Sequence, residues 1–200
     1  VDGKTGIFQA NEIDKASPGL LSGLHEVLCG MPLHVQGREV IKPAAGFGIA
    51  ATANTNLMGR NMHIHRGSRM QDPAFADRFW VLPMSYPSPE QERDIVKARV
   101  PQITVPILDR MIQLANEIRP LNASEDASAI RFTISTRFLA RWAMTSLLFR
   151  PLQGQGVNHV LYAMDVAGLS LAEPETREAI RELVNNIMDG NTSAAQAVQP

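Results

Sequence analysis

A single cysteine, Cys29, stands among 200 residues, so no internal disulfide is available and the fold must be held by its core. That usage fits a reducing compartment, and a cytoplasmic location is expected. No apolar run approaches the ~18 residues that a membrane span requires. A charged-then-apolar N-terminal signal is also missing. Neither sign of charge dominates: 19 Lys and Arg against 20 Asp and Glu give a net charge of -1. The bulk positive field that draws a protein onto nucleic acid is therefore absent, and no nucleic-acid partner is expected. Internal repeats are lacking too, and no low-complexity block occurs before the tail. What is present is the composition of a globular protein, 44% hydrophobic, with 13 prolines and 14 glycines spread as punctuation. The length allows one domain, or one core with a small satellite. Val1 lies only a few residues before an apolar strand, without an initiator Met, so the chain is expected to be a piece of a longer protein.

The organisation changes character midway. Ile7, Phe8 and Ala10 mark a short strand that ends in Asn11-Glu12-Ile13-Asp14. Ser17 before Pro18 reads as an N-cap with proline at the first helical position. Leu20, Leu21, Leu24, Val27 and Leu28 then recur with helical period as far as Gly30. Leu33-His34-Val35 and Glu39-Val40-Ile41 flank Gln36-Gly37 as a hairpin. Phe47 to Asn54 is small and apolar, as for a strand buried on both faces. Residues 55–72 form a polar loop, Pro73 to Arg78 a short helix, and Phe79 to Met84 a further strand. Ser88-Pro89-Glu90-Gln91 is a capping box that opens a helix to about Val100. Helices are then predicted over Ile103 to Ile118, stopping before Pro120; over Thr136 to Phe149, capped by Ser135; and at about 157–167 and 175–188. From Gly190 the tail is predicted to be disordered.

Carboxylates at the carboxyl end of a strand in an open α/β sheet sit where such sheets bind ligands. Glu12 is thus a candidate general base that polarises a water in nucleoside triphosphate hydrolysis, with Asn11 holding the Mg²⁺ shell through water. The alternative is an acid cluster at a helix start, stabilised by the helix dipole. Asn54 is a polar amide ending an apolar strand; burying it unpaired costs roughly 1–3 kcal/mol, so it should face solvent or a ligand. If its strand lies beside the one ending at Glu12, both side chains share one crevice. Otherwise Asn54 only opens the next turn. Arg78 and Arg137 are candidates for phosphate contacts because guanidinium matches phosphate oxygens and stays charged; surface salt bridges are the alternative. Gly3-Lys4-Thr5 imitates the end of a phosphate-binding loop but lacks the full pattern and a following helix. His63 and His65, with Arg60, Arg66 and Arg69, make a basic loop, and His25 and Cys29 lie four apart. Neither pair has the further ligands that a metal site needs.

Taken together these residues resemble the AAA+ ATPases of the MoxR and dynein-related group, which includes the ATPase subunit of cobaltochelatase and the activators of Rubisco. Gly6–Leu28 looks like the Walker B strand and its helix, Leu33–Ile41 like the hairpin before sensor 1, and Phe47–Asn54 like the sensor 1 strand. Pro73 to Glu92 matches the group's "DRF … Y-P … E" segment, and Ser135-Thr136-Arg137 with Trp142 resembles the sensor 2 helix. The resemblance implies an α/β fold, the C-terminal part of a P-loop NTPase αβα core (1–100), then an all-helical lid (101–189) and a tail (190–200). It also implies ATP and Mg²⁺ as cofactors, Arg78 as arginine finger, and Arg137 as a nucleotide contact. A homo-oligomeric ring, a hexamer, and a von Willebrand A domain partner are implied as well. Walker A is not among these residues and would lie upstream of Val1. Asn11 stands where the group's Walker B Asp is usual, which favours a second reading as a non-hydrolysing scaffold or adaptor. The basic loop 60–69 leaves a third, DNA-associated reading without support from net charge.

Overall fold

The computed structural model describes residues 6–35, 37, 40–58, 67–123 and 130–188. The fold is largely helical with a small parallel sheet, and the chain divides into two compact units, one ending at Pro83 and one starting at Met84.

In the first unit, β1 (Ile7–Ala10) pairs in parallel with β2 (Gly48–Ala51), from Ile7 opposite Gly48 to Ala10 opposite Ala51. A parallel pair needs a crossover. It is supplied by a 3₁₀ turn (Ile13–Lys15), α1 (Pro18–Ser22), α2 (Leu24–Leu28) and a single antiparallel bridge between Leu33 and Ile41. The continuous helix expected from Ser17 to Gly30 is instead broken at Gly23. There glycine, a poor helix former, follows Ser22, whose hydroxyl donates to the Gly19 carbonyl at 2.7 Å and competes with the helical ladder. Ser17 precedes α1 in extended backbone, yet its hydroxyl makes no capping bond. The bridge carries reciprocal Leu33–Ile41 hydrogen bonds of 2.8 and 3.0 Å, as the hairpin reading expects. Gln36 and Glu39 of that hairpin lie outside the described residues.

The strand expected over 47–54 is only four residues long and partly exposed, and Ile7 and Phe8 are exposed as well. With two strands among the described residues, neither has the flanking layers that bury a strand on both faces. The small core of this unit gathers Ile13, Leu21, Leu57 and Phe75. Phe75 comes from α3 (Pro73–Ala76), capped by the Asp72 carboxylate, and contacts His25 and Phe79 with ring centroids 5.2 Å apart in each case. The strand expected at Phe79 to Met84 does not form. No described strand pairs with it, Pro83 lacks a donor, and Trp80, Val81, Leu82 and Met84 stand exposed.

The second unit is built from α4 (Pro89–Arg99), α5 (Val105–Ala123), α6 (Thr136–Leu148), α7 (His159–Ala167) and α8 (Pro174–Met188), with 3₁₀ turns at Arg150–Gln155 and Leu169–Leu171. The capping box is formed: Gln91 N donates to Ser88 Oγ at 3.3 Å and Ser88 N to Gln91 Oε1 at 3.0 Å. Ser135 Oγ caps α6 through Phe138 N at 3.1 Å. Leu108, Met111, Leu114, Ala115 and Ile118 of α5 are fully buried, as their spacing predicts. They join Val96, Leu139, Trp142, Met164 and Ile180 in one core, so α4 is part of the helical unit. The helix expected to stop before Pro120 runs on to Ala123. Proline there removes only one ladder bond in the last turn, and Pro120 faces solvent. Among the described residues no helix is long and apolar enough to cross a membrane. The predicted disordered tail at 190–200, the Gly3-Lys4-Thr5 tract, and His63, His65, Arg60 and Arg66 lie outside the described residues.

Candidate functional site

Parallel pairing sends both chains of the small sheet out at one edge, Asn11-Glu12 after β1 and Thr52 to Asn54 after β2. Thr52 ties these ends together. Its N–H donates to the Ala10 carbonyl at 2.9 Å, its hydroxyl accepts from Glu12 N at 3.1 Å, and its carbonyl accepts from Ile13 N at 2.9 Å. Glu12 is held in the left-handed region at φ 53°, uncommon for a residue with a side chain. Its exposed carboxylate contacts Lys15 Nζ at 2.7 Å, and this pairing raises the Lys15 ammonium above its ordinary value. An exposed pair of this kind contributes ~0–1 kcal/mol, so Glu12 is free to exchange Lys15 for another donor. Asn11 is exposed and its Oδ1 accepts from Gln9 Nε2 at 2.9 Å. The Asn54 side chain is exposed and bonds to none of the described residues. The structure therefore brings Asn11, Glu12 and Asn54 to one edge with their polar ends open to solvent.

Asp14 is the residue that sequence reasoning left without a role. It is fully buried, and one oxygen, Oδ2, accepts from Ser68 Oγ at 2.7 Å, Thr55 Oγ1 at 3.1 Å and Asn54 N at 3.1 Å. Burial raises its pKa, but the hydrogen bonds from Ser68, Thr55 and the Asn54 N–H outweigh it and hold the carboxyl below the ordinary 3.8.

Arg78 follows α3 rather than opening a strand. Its guanidinium is exposed and donates to the Ala74 carbonyl. It forms no ion pair with a described carboxylate and no bond to Asn11, Glu12 or Asn54. Packing of Phe75 and Phe79 into the core fixes the turn that presents it.

In the second unit, Arg137 sits exposed in the first turn of α6 and has no ion-pair partner among the described residues. Behind it lies a buried cluster. Arg119 donates from Nη2 and Nη1 to the two Glu92 oxygens at 2.8 and 2.9 Å, and from Nε to the Ile134 carbonyl at 2.9 Å. Thr136 Oγ1 donates to Glu92 Oε1 at 2.5 Å, and the Tyr86 ring lies 3.8 Å from the guanidinium carbon. Tyr86 and Glu92 are the Tyr and Glu of the "Y-P … E" segment, so the signal was in the sequence. Their partner Arg119 was not, because it lies 27 residues beyond Glu92.

The described residues include no group of three or more His, Cys, Asp or Glu able to hold a metal ion. Cys29 is an exposed free thiol, and His25 stacks on Phe75. The oxygens of Asn11 and Glu12 are hard donors that suit Mg²⁺ bound through water, and their exposure leaves room for it.

Two comparisons with known proteins bear on the family. Residues 92–187 match the family described as CbbQ/NirQ/NorQ C-terminal. Over 146 residues the chain is 26% identical to the aerobic cobaltochelatase subunit CobS of Sinorhizobium sp, which covers 70% of this chain and 43% of that protein. The chain thus spans less than half the length of that relative. Both matches bear out the resemblance to the MoxR-type AAA+ ATPases.

Proposed function

We propose that this chain is the Walker B-to-lid portion of a MoxR-type AAA+ ATPase that couples ATP hydrolysis to the remodelling or activation of a partner protein. The observation that carries this reading is the parallel β1–β2 pair, which puts Glu12 and Asn54 at the same edge in loops tied through Thr52. In this reading Glu12 Oε accepts a proton from the attacking water as it polarises it. The Asn54 amide orients that water, and Asn11 orders water around Mg²⁺ through its side-chain oxygen. ATP, when bound, supplies the phosphoryl group that is transferred to water. Arg78, exposed and without a carboxylate partner among the described residues, suits a phosphate presented by a neighbouring subunit in a homo-oligomeric, hexameric ring. Arg137 suits a nucleotide contact from the helical lid. A von Willebrand A domain protein is the proposed partner, and a reducing cytoplasm the proposed setting, in keeping with the free thiol of Cys29. Asn11, which brings no charge to a metal, favours a second reading as a non-hydrolysing AAA+ scaffold or adaptor. ATPase assays on the complete protein separate the two. The first reading expects hydrolysis that Glu12→Gln and Arg78→Ala each abolish; a wild type no faster than these variants leaves only the scaffold.

A further inference from the structure

We infer that Asp14 is a positioning residue for Asn54: its buried carboxylate fixes the Asn54 backbone from the loop that carries Glu12, so the two reactive loops are set as one piece. The inference rests on the ATPase reading above and assigns a role to a residue that makes no contact with solvent.

Two segments far from Asp14 in sequence converge on this side chain. Asp14 Oδ2 takes the N–H of Asn54, the hydroxyl of Thr55 and the hydroxyl of Ser68, and the Asp14 carbonyl takes the N–H of Arg69 at 2.6 Å. Gln71, also buried, repeats the stitch one layer on. Its N–H donates to the Leu57 carbonyl at 2.8 Å and its Nε2 to the Ala16 carbonyl at 3.0 Å. Residues 12–16, 54–57 and 68–71 are therefore joined twice by buried polar groups.

The backbone adds a second, independent observation. Among the described residues, Glu12 at φ 53° and Leu57 at φ 64° are the non-glycine residues with positive φ, and they lie in the two loops that Asp14 joins. Such conformations are unfavourable for side-chain-bearing residues and persist where the surroundings over-determine them. A need for stability alone gives no reason to place both of them beside a buried carboxylate. Holding Glu12 and the Asn54 amide in a set mutual geometry does give one. Asn54 itself has no other hydrogen bond among the described residues, so the N–H bond to Asp14 is the restraint on the backbone from which its side chain projects.

The test uses the complete protein with Asp14→Asn, Asn54→Ala and the double variant, together with Ser68→Ala as a milder change that keeps the carboxylate. Misplacing a reacting group by about 1 Å costs on the order of 10²-fold in rate. Asp14→Asn is therefore expected to lower kcat by roughly ten- to a hundredfold with KM for ATP little changed, and Ser68→Ala by a few-fold. In the Asn54→Ala background both further losses should vanish, because residues acting as one unit are non-additive. Hydrogen exchange of the Asn54 amide supplies a readout independent of ATP and should speed up at least ~10-fold in Asp14→Asn. A slow Asn54→Ala beside an unaffected Asp14→Asn, full additivity in the double variant, or unchanged Asn54 exchange overturns the inference alone. An Asn54→Ala variant as fast as wild type overturns the ATPase reading and the inference with it. If Asp14→Asn does not fold, Ser68→Ala decides by the same criteria.

Discussion

Removing the Glu92 carboxylate should be among the costliest single changes in the helical unit. Glu92 is fully buried and the Arg119 side chain is 7% exposed, and the two meet in a bidentate contact at 2.8 and 2.9 Å. Solvent therefore offers neither group a substitute. Deleting one partner of a buried ion pair typically costs about 3–5 kcal/mol, because the other charge is left uncompensated. Here Arg119 keeps the Ile134 carbonyl, Asn116 Oδ1 and the face of Tyr86, so the low end is expected. At about 3 kcal/mol, and about 4–8 °C per kcal/mol for a unit of this size, Glu92→Ala should lower Tm by roughly 12–24 °C in thermal unfolding followed by circular dichroism. Replacing both partners, Glu92→Met with Arg119→Met, removes the stranded charge and should cost much less than the two single changes added together. A single-variant loss below about 1 kcal/mol, or a double variant as destabilised as the sum, would refute the reasoning.

Two further changes probe the first unit. Asn11→Asp restores a negative charge at the proposed Mg²⁺ side and should raise the ATPase rate of the complete protein; an unchanged rate would sink that idea. Asp14 is held below the ordinary 3.8 when folded, so the stability it supplies is complete above that pH and is lost as pH falls through the lower folded value. The groups that hydrogen-bond its carboxylate, Ser68, Thr55 and the Asn54 N–H, are uncharged. The gap in denaturation midpoint between wild type and Asp14→Asn should therefore be constant at neutral pH and shrink below 3.8; a gap that stays constant in acid contradicts the assignment.

Elements marked by local chemistry were legible in the sequence. The Ser88 capping box, the Ser135 cap and the apolar face of α5 depend on residues within four positions of one another, and each formed as read. The convergence of Glu12 and Asn54 was legible conditionally, pending a strand pairing that only the fold supplies. Elements whose existence depends on distant partners were not. Phe79 to Met84 has the residues of a strand but nothing described to pair with. Asp14 reads as one acid in a cluster until Asn54 and Ser68, 40 and 54 residues away, close on it. Gly23 and Pro120 erred in opposite directions. The glycine broke a helix that periodicity would continue, and the proline failed to break one already carried by a packed core face.

The central claim is that Glu12 and Asn54 form the hydrolytic edge of an ATP site. It is tested most directly by measuring ATP binding and ATP hydrolysis side by side in the complete protein and its Glu12→Gln variant. The account predicts that the variant still binds ATP while hydrolysis falls to background, because the amide keeps the shape of the side chain but accepts no proton. Undiminished hydrolysis in Glu12→Gln would contradict it.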